Sequence, residues 1–133
     1  MSVATPGLQA GGNISPARVV IMSGEWTVTQ ASDGDTLPCG VSGPYTRYAP
    51  GTAWDDGYIA QSGDEVPVFT NGEIASVEAG AAITGGNFVM ANAAGRVIPA
   101  TTGKYFVGEA LESATTAASG TRIRVRIQPG ILA

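Results

Sequence analysis

Histidine is absent from this chain of 133 residues, cysteine occurs once, and charge is sparse, with Lys and Arg totalling 7 and Asp and Glu 11. Without histidine the commonest general base and metal ligand is missing, so serine-histidine and cysteine-histidine nucleophile systems are excluded. Cys39 by itself can form neither an intramolecular disulfide nor a multi-cysteine metal site, and reads as a small buried hydrophobe in a reducing setting. The net charge of −4 argues against nucleic acid as the main partner, because phosphate binding needs a surplus of Lys and Arg. No segment approaches the apolar length of a membrane span, and the start MSVATPGLQAGGN has neither the basic nor the apolar region of a signal peptide. The expectation is a soluble protein made in the cytoplasm.

Known chemical motifs are missing too. Gly103-Lys104 has no glycine at phosphate-loop spacing before it, and Asp35-Thr36 runs into Leu37 where an aspartic protease has glycine. The carboxylate pairs Asp33 and Asp35, Asp55 and Asp56, and Asp64 and Glu65 all lie beside glycine, where Asp closes turns on its own backbone. Their spacing indicates no third or fourth ligand, so no metal, cofactor or catalytic residue is assigned. A carboxylate glycosidase ranks below the other readings.

What the chain does have is punctuation, with 19 glycines and 8 prolines between short apolar runs. Strands are expected at residues 18–22, 26–30, 37–41, 65–69, 73–77, 87–91, 95–99, 105–111 and 122–128, with corners every 8 to 12 residues. About ten short strands at that spacing predict an all-β fold, a small antiparallel β-barrel or sandwich. Asn71-Gly72 between two apolar runs is the strongest hairpin signal, and residues 113–119 have room for a helical turn at most. A faint internal echo aligns Val20, Met22, Val28, Ala31, Gly34 and Gly40 with Val89, Met90, Val97, Ala100, Gly103 and Gly108.

One domain is expected at 16–133, preceded by an arm and interrupted by a long loop insertion. Residues 1–15 fit no period and read as a flexible N-terminal arm, with Leu8 and Ile14 as isolated apolar residues for a partner. Residues 42–62 form a long loop carrying Tyr45, Tyr48, Trp54 and Tyr58, which either cap one end of the barrel or make an interface. In the last strand Arg122, Arg124 and Arg126 share one face while Ile123, Val125 and Ile127 share the other. That basic face is a solvated edge, a contact for an acidic partner surface, or a nucleic-acid footprint.

The stretches GAAITGGNFVMANAAGRVIPATTG and VGEALESATTAASGTRIRVRI, above all Gly108-Glu109-Ala110-Leu111 and residues 120–127, resemble the capsid decoration or cement proteins of tailed bacteriophages. The resemblance implies a non-enzymatic structural protein of the virion, bound to the outside of the head and stabilising it by bridging major capsid protein subunits. It also implies a homotrimer on the capsid, assembled in the host cytoplasm, with an N-terminal arm over the major capsid protein. The expected contact residues are Leu8, Ile14, Tyr45, Tyr48, Trp54, Tyr58, Arg122, Arg124 and Arg126. The aromatic loop leaves a second reading open, a carbohydrate-binding or head-fibre-like module in which those rings stack on sugars.

Overall fold

Alternation of apolar and polar residues sorts the chain into short strands, and in the computed structural model these build two five-stranded sheets. The structure describes residues 7–46, 57–115 and 121–133. The first sheet has the order β1-β3-β2-β4-β5, from β1 (Gln9–Ala10), β2 (Val19–Gly24), β3 (Thr27–Gln30), β4 (Pro38–Ser42) and β5 (Val68–Phe69). The second has the order β6-β10-β9-β7-β8, from β6 (Ile74–Glu78), β7 (Phe88–Ala91), β8 (Val97–Pro99), β9 (Tyr105–Ala110) and β10 (Arg122–Ile131). Strand pairing is antiparallel except for β1 with β3. The all-β expectation therefore holds. The helical turn expected at 113–119 lies mostly outside the described residues.

Two expectations are corrected. The Asn71-Gly72 turn forms, with Gly72 at φ 90° and Glu73 N–H donating to the Thr70 carbonyl, yet it closes no hairpin. Strand β5 pairs with β4 and β6 with β10, so the turn carries the chain from one sheet to the other. It is pinned there by Gly72 N–H to the Ile127 carbonyl and Ile127 N–H to the Glu73 carbonyl, both 2.8 Å. The arm is corrected from Gly7 onward: Leu8 is 5% and Ile14 0% exposed, both in a core cluster with Val20, Val28, Ile59, Val66 and Val68. The reason lies in β2, where the adjacent residues Val19 and Val20 are both fully buried and so face opposite sides of the sheet. The second sheet covers the Val19 side, while residues 8–14 and 59–66 cover the Val20 side. Residues 1–6 lie outside the described residues.

The echo in the sequence is a structural duplication. One constant shift carries Ala10 onto Ala79, Ile14 onto Ile83, Val20 onto Val89, Gln30 onto Pro99 and Ala31 onto Ala100. The parallel pair Ala10↔Val28 recurs as Ala79↔Val97, and the bridge Ile14↔Ala60 recurs as Ile83↔Ala114. Val20 pairs with Gln30 and Gly40, as Val89 pairs with Pro99 and Gly108. Val41↔Phe69 recurs as Glu109↔Arg126. The chain is thus two units of one topology, the first ending at β5 and the second at β10. Met90 answers to Ile21 rather than to Met22, since β7 follows β2 without a gap.

Both units depend on one glycine each. A Cβ on Gly40 would sit 1.9 Å from the Phe69 carbonyl oxygen, and one on Gly108 would sit 1.9 Å from that of Arg126. Neither strand can yield without breaking its ladder, so Gly108→Ala is expected to cost about 3 kcal/mol, measurable as a lower midpoint in urea unfolding.

A buried polar cluster holds the units together. Glu78, at the end of β6, takes Arg18 Nη2 at 3.2 Å and lies 3.5 Å from Arg96 Nε, the latter without hydrogen-bond alignment. Arg18 Nη1 and Gln30 Nε2 each donate to the Ala94 carbonyl at 2.8 Å, and Val19 N–H donates to the Gly95 carbonyl at 2.9 Å. The tip of the β7–β8 hairpin in the second unit is in this way fastened to β2 and β3 of the first. Removing one partner leaves a largely buried charge unpaired, so Glu78→Gln is expected to destabilise the fold by about 3 kcal/mol in thermal or urea unfolding.

Candidate functional site

With the core residues excluded, the surface around the aromatic loop is where the expected contacts collect. Tyr45 is 74% exposed and stands at the rim of a depression of about 360 Å³ lined by Gly43, Pro44, Thr46, Ile59, Pro67 and Phe69. Glu65 also lines it, and the apolar part of its wall comes from Ile59, Pro67 and Phe69, where β5 and the residues before it form the edge of the first sheet. Tyr58 is half-buried. Tyr48 and Trp54 lie outside the described residues.

The three arginines project from β10 as the alternation predicts, all exposed, but two are engaged. Arg122 Nη1 donates to the Pro44 carbonyl at 2.6 Å, which ties the start of β10 to the base of the aromatic loop. Arg124 donates to Glu112 from Nη2 at 2.7 Å and from its backbone N–H at 2.9 Å. Arg126 has no ion-pair partner among the described residues. The structure therefore brings Tyr45 and Arg122 together and leaves Leu8 and Ile14 in the core.

Carboxylates behave as turn formers where they are described. Asp33 accepts from Asp35 N–H at 2.9 Å, and Asp64 accepts from Gln61 N–H at 3.0 Å. Asp35 also pairs with Lys104, whose ammonium is held above the usual lysine range by that hydrogen bond and charge. Asp55 and Asp56 lie outside the described residues. Among the described residues, no cluster of three or more His, Cys, Asp or Glu could hold a metal ion. Cys39 is partly exposed, and burial pushes its thiol up.

Sequence reasoning missed Trp26. It falls there in the expected strand at 26–30, yet it lies before β3, is 63% exposed and takes φ 55°, a conformation that costs side chains other than glycine. A left-handed φ is invisible in composition. The signal that could have found it is the echo itself, which sets Trp26 against Gly95.

The Arg124–Glu112 pair gives a titration test. The hydrogen bonds from Arg124 hold the Glu112 carboxyl below the ordinary Glu range. A depressed folded-state value means the pair stabilises the fold above the ordinary Glu range and stops doing so as pH falls through the lowered value. In an NMR titration, Arg124→Gln is expected to move the Glu112 midpoint upward; an unchanged midpoint contradicts the pairing.

Comparison with known proteins follows the same lines. No curated protein matches the chain. Among solved structures it is similar to the N base of the head fibre gp8.5 of bacteriophage phi29, with a TM-score of 0.64 and 17% identity over 96% of this chain and 95% of that one. At that identity the match speaks for the fold. The sequence model described as phage cement protein matches residues 5–127, both units and the loop between them. This chain belongs to the phage cement proteins, a family of structural phage proteins.

Proposed function

We propose that this protein binds the outer surface of the assembled phage head as a trimer and stabilises the shell by bridging neighbouring subunits of the major capsid protein. The observation that carries the reading is the cement-protein match across nearly the whole chain. The proposed contacts are residues 1–6 ahead of Gly7, the rim at Tyr45 with Arg122, and Tyr48, Trp54 and Arg126. Of these, Tyr45, Arg122 and Arg126 are exposed and outside the two core clusters, so a partner can meet them without disturbing the fold. No catalytic step is assigned to it.

The role is one of added area. A cement protein spanning a subunit boundary makes separation of the capsomers cost its own binding energy as well. Many copies turn a modest contact into a large gain for the shell. The protein is proposed to reach this place from the host cytoplasm, where heads assemble.

A second reading, carbohydrate binding, is favoured by one observation, the exposed Tyr45 ring above an apolar depression. The two are separated by co-sedimentation with expanded heads. A chain lacking residues 2–6 keeps Leu8 and Ile14 in the core and is expected to stay folded and to lose most head binding; undiminished binding removes the arm from the interface. Binding to glycans but not to heads, lost in Tyr45→Ala, decides for the second reading.

A further inference from the structure

The duplication shows where one contact is made and its counterpart is left open. In the second unit the hairpin tip at Ala94 and Gly95 is docked: Arg18, Val19 and Gln30 of the first unit receive its carbonyls. The approach is so close that a Cβ on Gly95 would lie 2.8 Å from Gln30 Cγ and 3.1 Å from the Ala31 carbonyl oxygen. The same shift gives the counterpart of each side. The first unit's tip is Glu25 and Trp26, and it stands in solvent with the indole displayed. The second unit's receiving residues are Asn87, Phe88, Pro99 and Ala100, in place of Arg18, Val19, Gln30 and Ala31.

Those four residues line an open cavity of about 300 Å³, completed by Gly86 and Leu132. One wall is Phe88, stacked on Phe106 at 4.2 Å between ring centroids. The two sides have changed together. The receiving site with Arg18 and Gln30 takes a tip of small residues through its carbonyls, whereas the other site replaces Arg18, Val19 and Gln30 by Asn87, Phe88 and Pro99, without a charge and with an aromatic ring, and the remaining tip carries a tryptophan. Holding Trp26 at φ 55° strains the backbone where the second unit has glycine. No contact of its ring within the described chain accounts for that.

We infer that Trp26 of one copy inserts into the Asn87, Phe88, Pro99, Ala100 cavity of a second copy of this chain, repeating between molecules the tip-to-sheet contact that joins the two units within one. The contact is heterologous, tip of one copy to sheet of the next, so it propagates around a ring or along a row. Aromatic anchors in an apolar cavity are the residues that dominate interface energy. The inference rests on the duplication and not on the head-binding reading.

The test is sedimentation of the full chain from micromolar to about millimolar concentration, with two variants. Trp26→Gly copies the residue the second unit already has at this position and relieves the left-handed backbone, so its melting temperature is expected to be unchanged or higher. Ala100→Arg fills the cavity, and Asn87→Arg, on an exposed side chain at the same rim, serves if Ala100→Arg is poorly folded. The wild-type protein is expected to associate with rising concentration and each variant to associate at least about 30-fold more weakly. An equal mixture of the tip variant and the cavity variant is expected to form dimers and stop there, since one intact tip and one intact cavity remain per pair. General destabilisation would not restore a dimer. A wild-type monomer at about millimolar concentration, variants that associate as the wild type does, or a mixture that stays monomeric overturns the inference. Head co-sedimentation of the same samples reports the head-binding reading separately.

Discussion

A sheet that is apolar on both faces must be covered on both, and that constraint on the first sheet orders the rest of the molecule. Val19 and Val20 are neighbours in β2, point to opposite sides, and are both fully buried. Burying a valine side chain contributes roughly 1.5 kcal/mol or more, so neither face can be left to water. The second sheet closes one side. The other is closed by residues 8–14, regular only in the two-residue β1, and residues 59–66, bound through Ala10 N–H to the Asp64 carbonyl and Val66 N–H to the Leu8 carbonyl. The aromatic loop leaves the sheet at Ser42, the end of β4, and returns into this cover at Ile59 and Ala60.

The units have diverged where their surroundings differ. On the first unit, Val41 is in the core between the sheets and Phe69 packs against it. Of their counterparts on the second unit, Glu109 is partly exposed and Arg126 exposed. The face that docks in one unit has been made charged in the other, as the outer face of a terminal repeat must be. Arg126, read from the sequence as one of three equivalent arginines, thus has a structural reason of its own for being there.

Strands were legible because a half-buried strand writes its face into alternate residues, nowhere more clearly than in β10. The duplication was legible in outline because the turn glycines and the core valines are held in place by backbone geometry, Gly40 and Gly108 above all. The partners of each strand were not. Nothing in Asn71-Gly72 says that the flanking runs pair with β4 and β10 instead of with each other, since long-range pairing decides that. Leu8 and Ile14 carried no period because they flank a strand of only two residues and cover the sheet from outside it. Arg122 and Arg124 looked available because Pro44 and Glu112 are distant from them in sequence and close only in the fold. Of the expected contact residues, Tyr45 and the arginine face lie at the surface, whereas Leu8 and Ile14 lie in the core.

The unlike chemistry of the two hairpin tips also limits what the protein can do wrong. Two units of one topology in one chain invite exchange, the tip of one unit docking where the other belongs. Gly95 fits against Gln30 and Ala31 only because it has no side chain, and an indole at that place would meet Gln30 and the Ala31 carbonyl at once. The Arg18 and Gln30 donors demand backbone carbonyls at close range and would stay unpaired against a bulky tip, at a cost of about 1–3 kcal/mol per buried group. Trp26 therefore excludes its own tip from the site that joins the units. The same residue that leaves the backbone strained keeps the internal joint for its proper partner, and specificity here comes as much from what the Arg18 site rejects as from what it binds.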